Sequence, residues 1–229
     1  MMRLVGVWVL CLWAASATAA PVNLIQNGDF GQGNVGFTSD YLYQPDVAPG
    51  DDLWDAGLYG IDDNAIGRHP YWETSGDHGG NGAFMLVNGR TDGASTVWRY
   101  GFDAEAGHTY EWSAWAKNLC CDFSTIGDQA PPSDFRGPSL EFWLNGLFLG
   151  LFESDGPGVW GQQTLWFTAE TAGTIALEIR NTATAYRGND FGLDDLSLTD
   201  LTAAPEPASM VLLGTGLFGI VRTMRRRRA

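Results

Sequence analysis

The chain has 229 residues, with 13 Lys and Arg against 27 Asp and Glu and a formal net charge of −14. A protein that neutralises nucleic-acid phosphates presents a basic face, so this balance excludes a nucleic-acid binder. The charge is unevenly placed: Arg3 and five arginines after position 221 lie at the ends, which leaves residues 21–204 with seven basic residues against 26 acidic ones, a charge of −19.

At the N-terminus, Arg3 is followed by an apolar stretch from Leu4 to Trp13 and by small residues ending in Ala17-Thr18-Ala19-Ala20. A charged start, a short apolar segment and an A-x-A site predict a secretory signal peptide over residues 1–20, forming a helix and cleaved beside Ala19 and Ala20. Export implies an oxidising destination, where the mature chain keeps Cys120 and Cys121. As neighbours they cannot make a C-x-x-C site; they close a vicinal disulfide, stay as thiols or bridge to another chain.

Residues 21–202 suffice for one domain with a substantial core. Gly, Asp and Asn punctuate short segments rich in aromatic and β-branched residues, and helical spacing is absent over any long window. The expectation is an all-β sandwich. Strands are predicted at 22–26, 83–88, 95–100, 163–169 and 191–199. Residues 109–117 alternate cleanly, with Tyr110, Trp112, Ala114 and Ala116 on one face. Residues 173–180 place Ile175, Leu177 and Ile179 inward and Thr174, Glu178 and Arg180 outward. Asn145-Gly146, between 139–144 and 147–152, is the clearest hairpin signal in the chain.

The stretch 40–75 does not read as core strand. It gathers Tyr41, Tyr43, Trp54, Tyr59, Tyr71 and Trp72 among prolines and acids. Aromatic faces stack on the C–H faces of sugars while Asp and Asn bond hydroxyls, which makes Trp54, Tyr59, Tyr71 and Trp72 candidate glycan contacts. Folding back over one end of the sandwich would bury the same rings. In the last strand, strict alternation puts Asp194 on the core side with Leu196 and Leu198, and Asp195 opposite with Leu193 and Phe191. An inward carboxylate needs a partner, backbone N–H donors or a metal ion.

The C-terminus carries Pro205-Glu206-Pro207, fourteen uncharged residues over 208–221, and the arginine cluster. As a short hydrophobic helix that segment spans roughly 21 Å, against about 30 Å of hydrocarbon, which suits a temporary membrane stop with the arginines on the cytoplasmic side. A permanently retained tail anchor is the alternative. These three parts in order resemble the PEP-CTERM sorting signal of Gram-negative, exopolysaccharide-producing bacteria. The resemblance implies that residues 203–229 are read by an exosortase at Pro205-Glu206-Pro207 after transient anchoring in the inner membrane, and that the protein ends at the cell surface or outside it.

Inside the body, the run Asn23 to Phe30 and the run Gly188 to Leu198 resemble the first and last segments of galactose-binding-like jelly rolls, the fold of many carbohydrate-binding modules. Residues 77–89 and 110–118 resemble the middle of such domains and, more distantly, of MAM-type domains. The resemblance implies a single jelly-roll β-sandwich whose first and last strands lie side by side. It also implies a structural Ca²⁺ held by Asp29, Asp194 and Asp195 with Asn27 as a carbonyl donor; Gly31 stands where many relatives have an acid. Turn-capping Asp side chains are the competing reading of the same residues.

No nucleophile elbow, His-Glu-x-x-His pair or P-loop occurs, and His69, His78 and His108 are isolated. The expectation is therefore a non-catalytic exported surface or matrix protein that associates with exopolysaccharide or biofilm through glycan binding, Ca²⁺ binding or both. A membrane-anchored carbohydrate-binding protein and a secreted glycoside hydrolase are the alternatives.

Overall fold

Asn145 and Gly146 both adopt positive φ, 47° and 81°, as a two-residue hairpin turn requires. They join β6 (Ser139–Leu144) to β7 (Leu147–Glu153). The computed structural model describes residues 22–48, 52–74, 76–80, 82–121, 135–154 and 156–202. The expected signal peptide and sorting tail lie outside these residues. No helix among the described residues is long and apolar enough to cross a membrane.

The other strands are β1 (Leu42–Tyr43), β2 (Leu58–Asp62), β3 (Phe84–Val87), β4 (Ser95–Ala104), β5 (Thr109–Asn118), β8 (Gly161–Thr168), β9 (Gly173–Asn181) and β10 (Phe191–Asp200), with one helical turn, α1 (Ala65–Arg68). A six-stranded sheet has the order β1-β2-β3-β10-β5-β8 and a four-stranded sheet the order β4-β9-β6-β7. The described chain is thus an all-β sandwich. Its central core unites Tyr110, Trp112, Ala114 and Ala116 of β5 with Trp98, Phe142, Ile175, Leu177 and Ile179 of the facing sheet. Burial of such side chains stabilises by about 1.5–3 kcal/mol each.

Three expectations need correction. Residues 22–26 form no strand; they run beside β10 through Leu24 N–H to the Leu198 carbonyl (2.8 Å) and through the Asn23 side chain, which accepts from Leu198 N–H (2.9 Å) and donates to the Leu196 carbonyl (2.9 Å). The stretch 40–75 does contain a core strand, β2, paired along its length with β3. Strict alternation also fails in β10. Its pairing with β5 shifts between Asp194 and Ser197, and Asp195 takes φ 46°. This bulge inserts one residue and reverses the phase, so Phe191, Leu193, Leu196 and Leu198 all enter the central core.

The outer face of the six-stranded sheet is half covered. Leu53, Ala65, Trp72, Phe84, Leu86, Leu119 and Cys120 form a second, smaller core there, and Cys120 is joined to Cys121 as a vicinal disulfide. Beside it Lys117 is fully buried, with its Nζ 4.5 Å from the Phe84 ring centre and 4.1 Å from that of Trp160. It donates to the Gly76 carbonyl. Burial pushes the Lys117 amine down to about 8, against the pull of Asp194 and Asp77. Asp194 is buried on this outer side, its two oxygens accepting from the backbone N–H groups of His78 and Asp195 (both 2.8 Å).

A Cβ on Gly28 would run into the Leu196 carbonyl, at the point where Leu196 N–H donates to the Gly28 carbonyl (2.9 Å). Gly28→Ala is expected to lower unfolding free energy by about 2–3 kcal/mol, measured by denaturant titration, whereas Gly31→Ala, whose Cβ would meet nothing closer than the Asp29 carboxylate at 3.5 Å, costs less than half of that.

Candidate functional site

The outer face of the four-stranded sheet carries a row set by strand register. Arg99 of β4 pairs with Glu178 of β9, Glu178 with Trp143 of β6, and Trp143 with Phe148 of β7. Residues directly opposite one another share a face, so a cation, a carboxylate and two aromatic rings line up across all four strands. In the adjacent row Arg180 pairs with Glu141 and Glu141 with Leu151. On the other side of the row stand Gly101 and Ala176, small residues between taller side chains, with Asn145 bonded to the Ala176 backbone at the hairpin end.

Contacts fix this face. Arg180 lies over the Trp143 ring, 4.4 Å from its centre, and Phe148 meets that ring edge-on at 5.8 Å. The Trp143 indole N–H donates to Glu141 (2.9 Å). Glu178 accepts from Arg99 Nε (3.1 Å) and Arg180 Nε (2.8 Å). Burial alone would raise the Glu178 carboxyl, but the bonds from Arg180 and Arg99 outweigh it and hold the group below the usual carboxylate range. Phe148 is 47% and Leu151 40% exposed. The alternation of Glu178 and Arg180 was legible in the sequence; the alignment of Arg99, Trp143 and Phe148 beside them is a matter of register and was not.

The four candidate glycan-contact aromatics divide. Trp72 is fully buried, stacked on His69 (5.1 Å, 20°), with its indole donating to Asp190 (2.8 Å). Tyr59 is buried in β2, its hydroxyl donating to Asn34 (2.7 Å). Both are corrections: these rings serve packing and offer no free face. Trp54 and Tyr71 are 47% and 44% exposed and meet edge-to-face at 5.8 Å. His69 lies under them, 4.6 Å from Trp54, and burial pushes its imidazole down to about 4. Burial likewise pushes Asp190 up to about 6 against hydrogen bonds from Trp72 and Gly89.

The Ca²⁺ candidates are only partly brought together. Asn27, Asp29 and Asp195 line one polar pocket of about 370 Å³ beside β10, and Asp194 is not part of it. The donor set does not fit a Ca²⁺ cage of six to eight converging oxygens. The Asn27 side-chain oxygen accepts from Gln32 N–H (2.8 Å) and its carbonyl from Phe30 N–H (3.1 Å). Asp29 accepts from Gly31 N–H (3.2 Å), both Asp194 oxygens are taken by backbone N–H groups, and Asp195 contacts His78 Nδ1 (2.7 Å). Among the described residues no group of three or more His, Cys, Asp or Glu side chains is placed to hold a metal ion.

Comparison with known proteins adds two findings. Residues 203–228 match the PEP-CTERM protein-sorting motif, which marks an exported protein with a C-terminal sorting signal. No curated protein matches the chain. Solved structures similar to it include a family 16 carbohydrate-binding module (16% identity over 77% of this chain and 99% of that one, TM-score 0.42). The CBM22-1 xylan-binding domain of Paenibacillus barcinonensis Xyn10C is another (14% identity, 83% and 100% coverage, TM-score 0.42). A third is a CBM4 domain (13% identity, 77% and 99% coverage, TM-score 0.40). The class is therefore an exported β-sandwich protein with a sorting tail.

A buried histidine held below its unfolded value stabilises the fold fully only above that unfolded value, near 6.5, and loses the contribution as pH falls towards 4. His69→Phe should therefore gain relative to wild type by up to about 3 kcal/mol between pH 7 and pH 4, as read from unfolding titrations at each pH. A constant difference across that range would show that His69 is not the titrating group.

Proposed function

We propose that this protein is an exported, non-catalytic glycan-binding component of the cell surface or extracellular matrix. It is delivered through an exosortase after a transient inner-membrane stage and associates with exopolysaccharide through the outer face of its four-stranded sheet. The observation that carries the reading is the row Arg99, Glu178, Trp143 and Phe148 beside the small residues Gly101 and Ala176. Aromatic faces take the apolar C–H faces of pyranose rings, and guanidinium and carboxylate groups fixed beside them bond equatorial hydroxyls. The face is already ordered by its internal bonds, so little side-chain entropy is lost on binding.

A binding role suits the carboxylates of this face better than a catalytic one. A general acid for glycoside hydrolysis needs a raised carboxyl and a proton to give. Glu178 is held in the opposite direction by two guanidiniums, and Glu141 accepts from the Trp143 indole. The sorting motif supports delivery to the outside.

Trp143→Ala is expected to weaken retention in native gels containing soluble xylan, mixed-linkage β-glucan or the producing cell's own exopolysaccharide by at least about tenfold, or 1.4 kcal/mol. Trp54→Ala, remote from this row, serves as the comparator and should change retention by less than about twofold. Equal loss in both variants, or unchanged retention in Trp143→Ala with an unaltered melting temperature, would sink the assignment of the face.

A further inference from the structure

The six-stranded sheet also has an outer face, and among the described residues only the half towards β2 and β3 is covered by the second core. On the other half, register again aligns residues across strands. Glu111 of β5 lies between Trp166 of β8 and Thr199 of β10, and Ser113 lies between Thr164 and Ser197. Trp166 is 60% exposed, and its indole N–H donates to Glu111 (2.9 Å), which holds the ring in one orientation. Four residues further along β5, about 13 Å away, Trp115 carries the His78 imidazole stacked at 3.7 Å and 18°. Asp195 holds that imidazole through Nδ1 (2.7 Å).

The exposed Trp166 ring and the half-buried Trp115, its face covered by the stacked His78 imidazole, thus bracket a row of hydroxyl side chains in which Ser113 is buried and Thr164, Ser197 and Thr199 are partly exposed. The chemistry selects the occupant. No Lys or Arg stands among the outward residues of β5, β8 and β10 except the buried Lys117, while Glu111 and Asp195 are acidic. A polyanion or an acidic protein would be repelled, and an apolar partner would leave the hydroxyls unbonded. A neutral, hydroxyl-rich chain of linked pyranose rings satisfies both the rings and the hydroxyls.

We propose that this open half-sheet is a second carbohydrate-binding surface, facing away from the first, so that one chain bridges two neutral polysaccharide strands. The inference rests on the glycan reading of the four-stranded face, which it extends from attachment to cross-linking. The two faces belong to opposite sheets of one sandwich, so a single strand cannot occupy both without wrapping around the domain.

The test uses the full chain with soluble xylan and mixed-linkage β-glucan, read by gel retardation and by light scattering. Wild type should retard in the gel, and scattering should rise with protein and fall again at protein excess, as two-site bridging requires. Trp166→Ala should abolish the scattering while retaining gel retardation within about threefold, and Trp166→Phe should restore part of the scattering. Trp143→Ala should likewise lose scattering yet keep residual retardation through the second face, and the double variant should lose both signals. Scattering by Trp166→Ala equal to wild type would overturn the second surface. Complete loss of retardation in Trp143→Ala alone would do the same while leaving the first face intact. Absence of retardation by wild type with both probes would remove the glycan reading and this inference together.

Discussion

β10 lies between β3 and β5, and its first half is enclosed on both sides: Phe191 and Leu193 enter the central core, while Gly192 presses against the Phe84 ring and Lys117 on the other face. In a single phase, Asp195, Ser197 and Thr199 would share the core face with Phe191 and Leu193, and Leu196 and Leu198 would point outward. The bulge at Asp194 and Asp195 resolves this by inserting one residue. Most of what distinguishes the outer sheet face depends on it. Asp194 comes to rest under the 76–80 segment, where its oxygens fasten His78 N–H, and Asp195 reaches the imidazole of the same residue. The carboxylate would be costly to bury alone; two N–H donors and the nearby Lys117 charge offset that cost, although desolvation still pushes Asp194 up to about 6. Without the extra residue, Leu196 and Leu198 would point outward instead of filling the central core.

Where a segment keeps strict period-2 alternation, the chain's own pattern was sufficient. Residues 139–144 and 173–180 form strands close to their expected bounds because one face of each is buried and the other more exposed, and 109–117 does so although Ser113 and Lys117 on its outer face are buried. β2 escaped notice for a physical reason. Leu58-Tyr59-Gly60-Ile61-Asp62 is short and carries a glycine that reads as a turn, yet the glycine is there because the Arg68 guanidinium lies against it, 2.8 Å from where a Cβ would sit. The bulge in β10 left no mark in composition either, since an inserted residue changes phase without changing residue types. Trp72 and Tyr59 show the same limit from the other side: a ring in a Pro- and Asp-rich stretch can face water or core, and only long-range contacts such as Trp72 to Asp190 decide which.

The candidate face on the four-stranded sheet was visible in fragments. Glu178 and Arg180 are outward in β9 by simple alternation, but their meaning comes from the residues that register sets beside them. The same pairing consumes most of their charge. Arg99 and Arg180 converge on Glu178, and Arg68 is buried against Asp62 and the Gln44 carbonyl. A body with 26 acids and seven bases thus spends several of its cations on internal order, each withdrawn together with a carboxylate, so the net charge of −19 is unchanged while few free cations are left to face a ligand.

Lys117 extends that point into covalent chemistry. It is the sole lysine of the whole chain, and it is fully enclosed between Phe84, Trp160 and the Gly76 carbonyl. The sandwich therefore presents no lysine amine to its surroundings. Aldehydes, activated esters and enzymes that join proteins through lysine isopeptide bonds find no lysine acceptor on its folded surface. Any durable bond between this body and a surrounding matrix has to be made through groups other than a lysine amine.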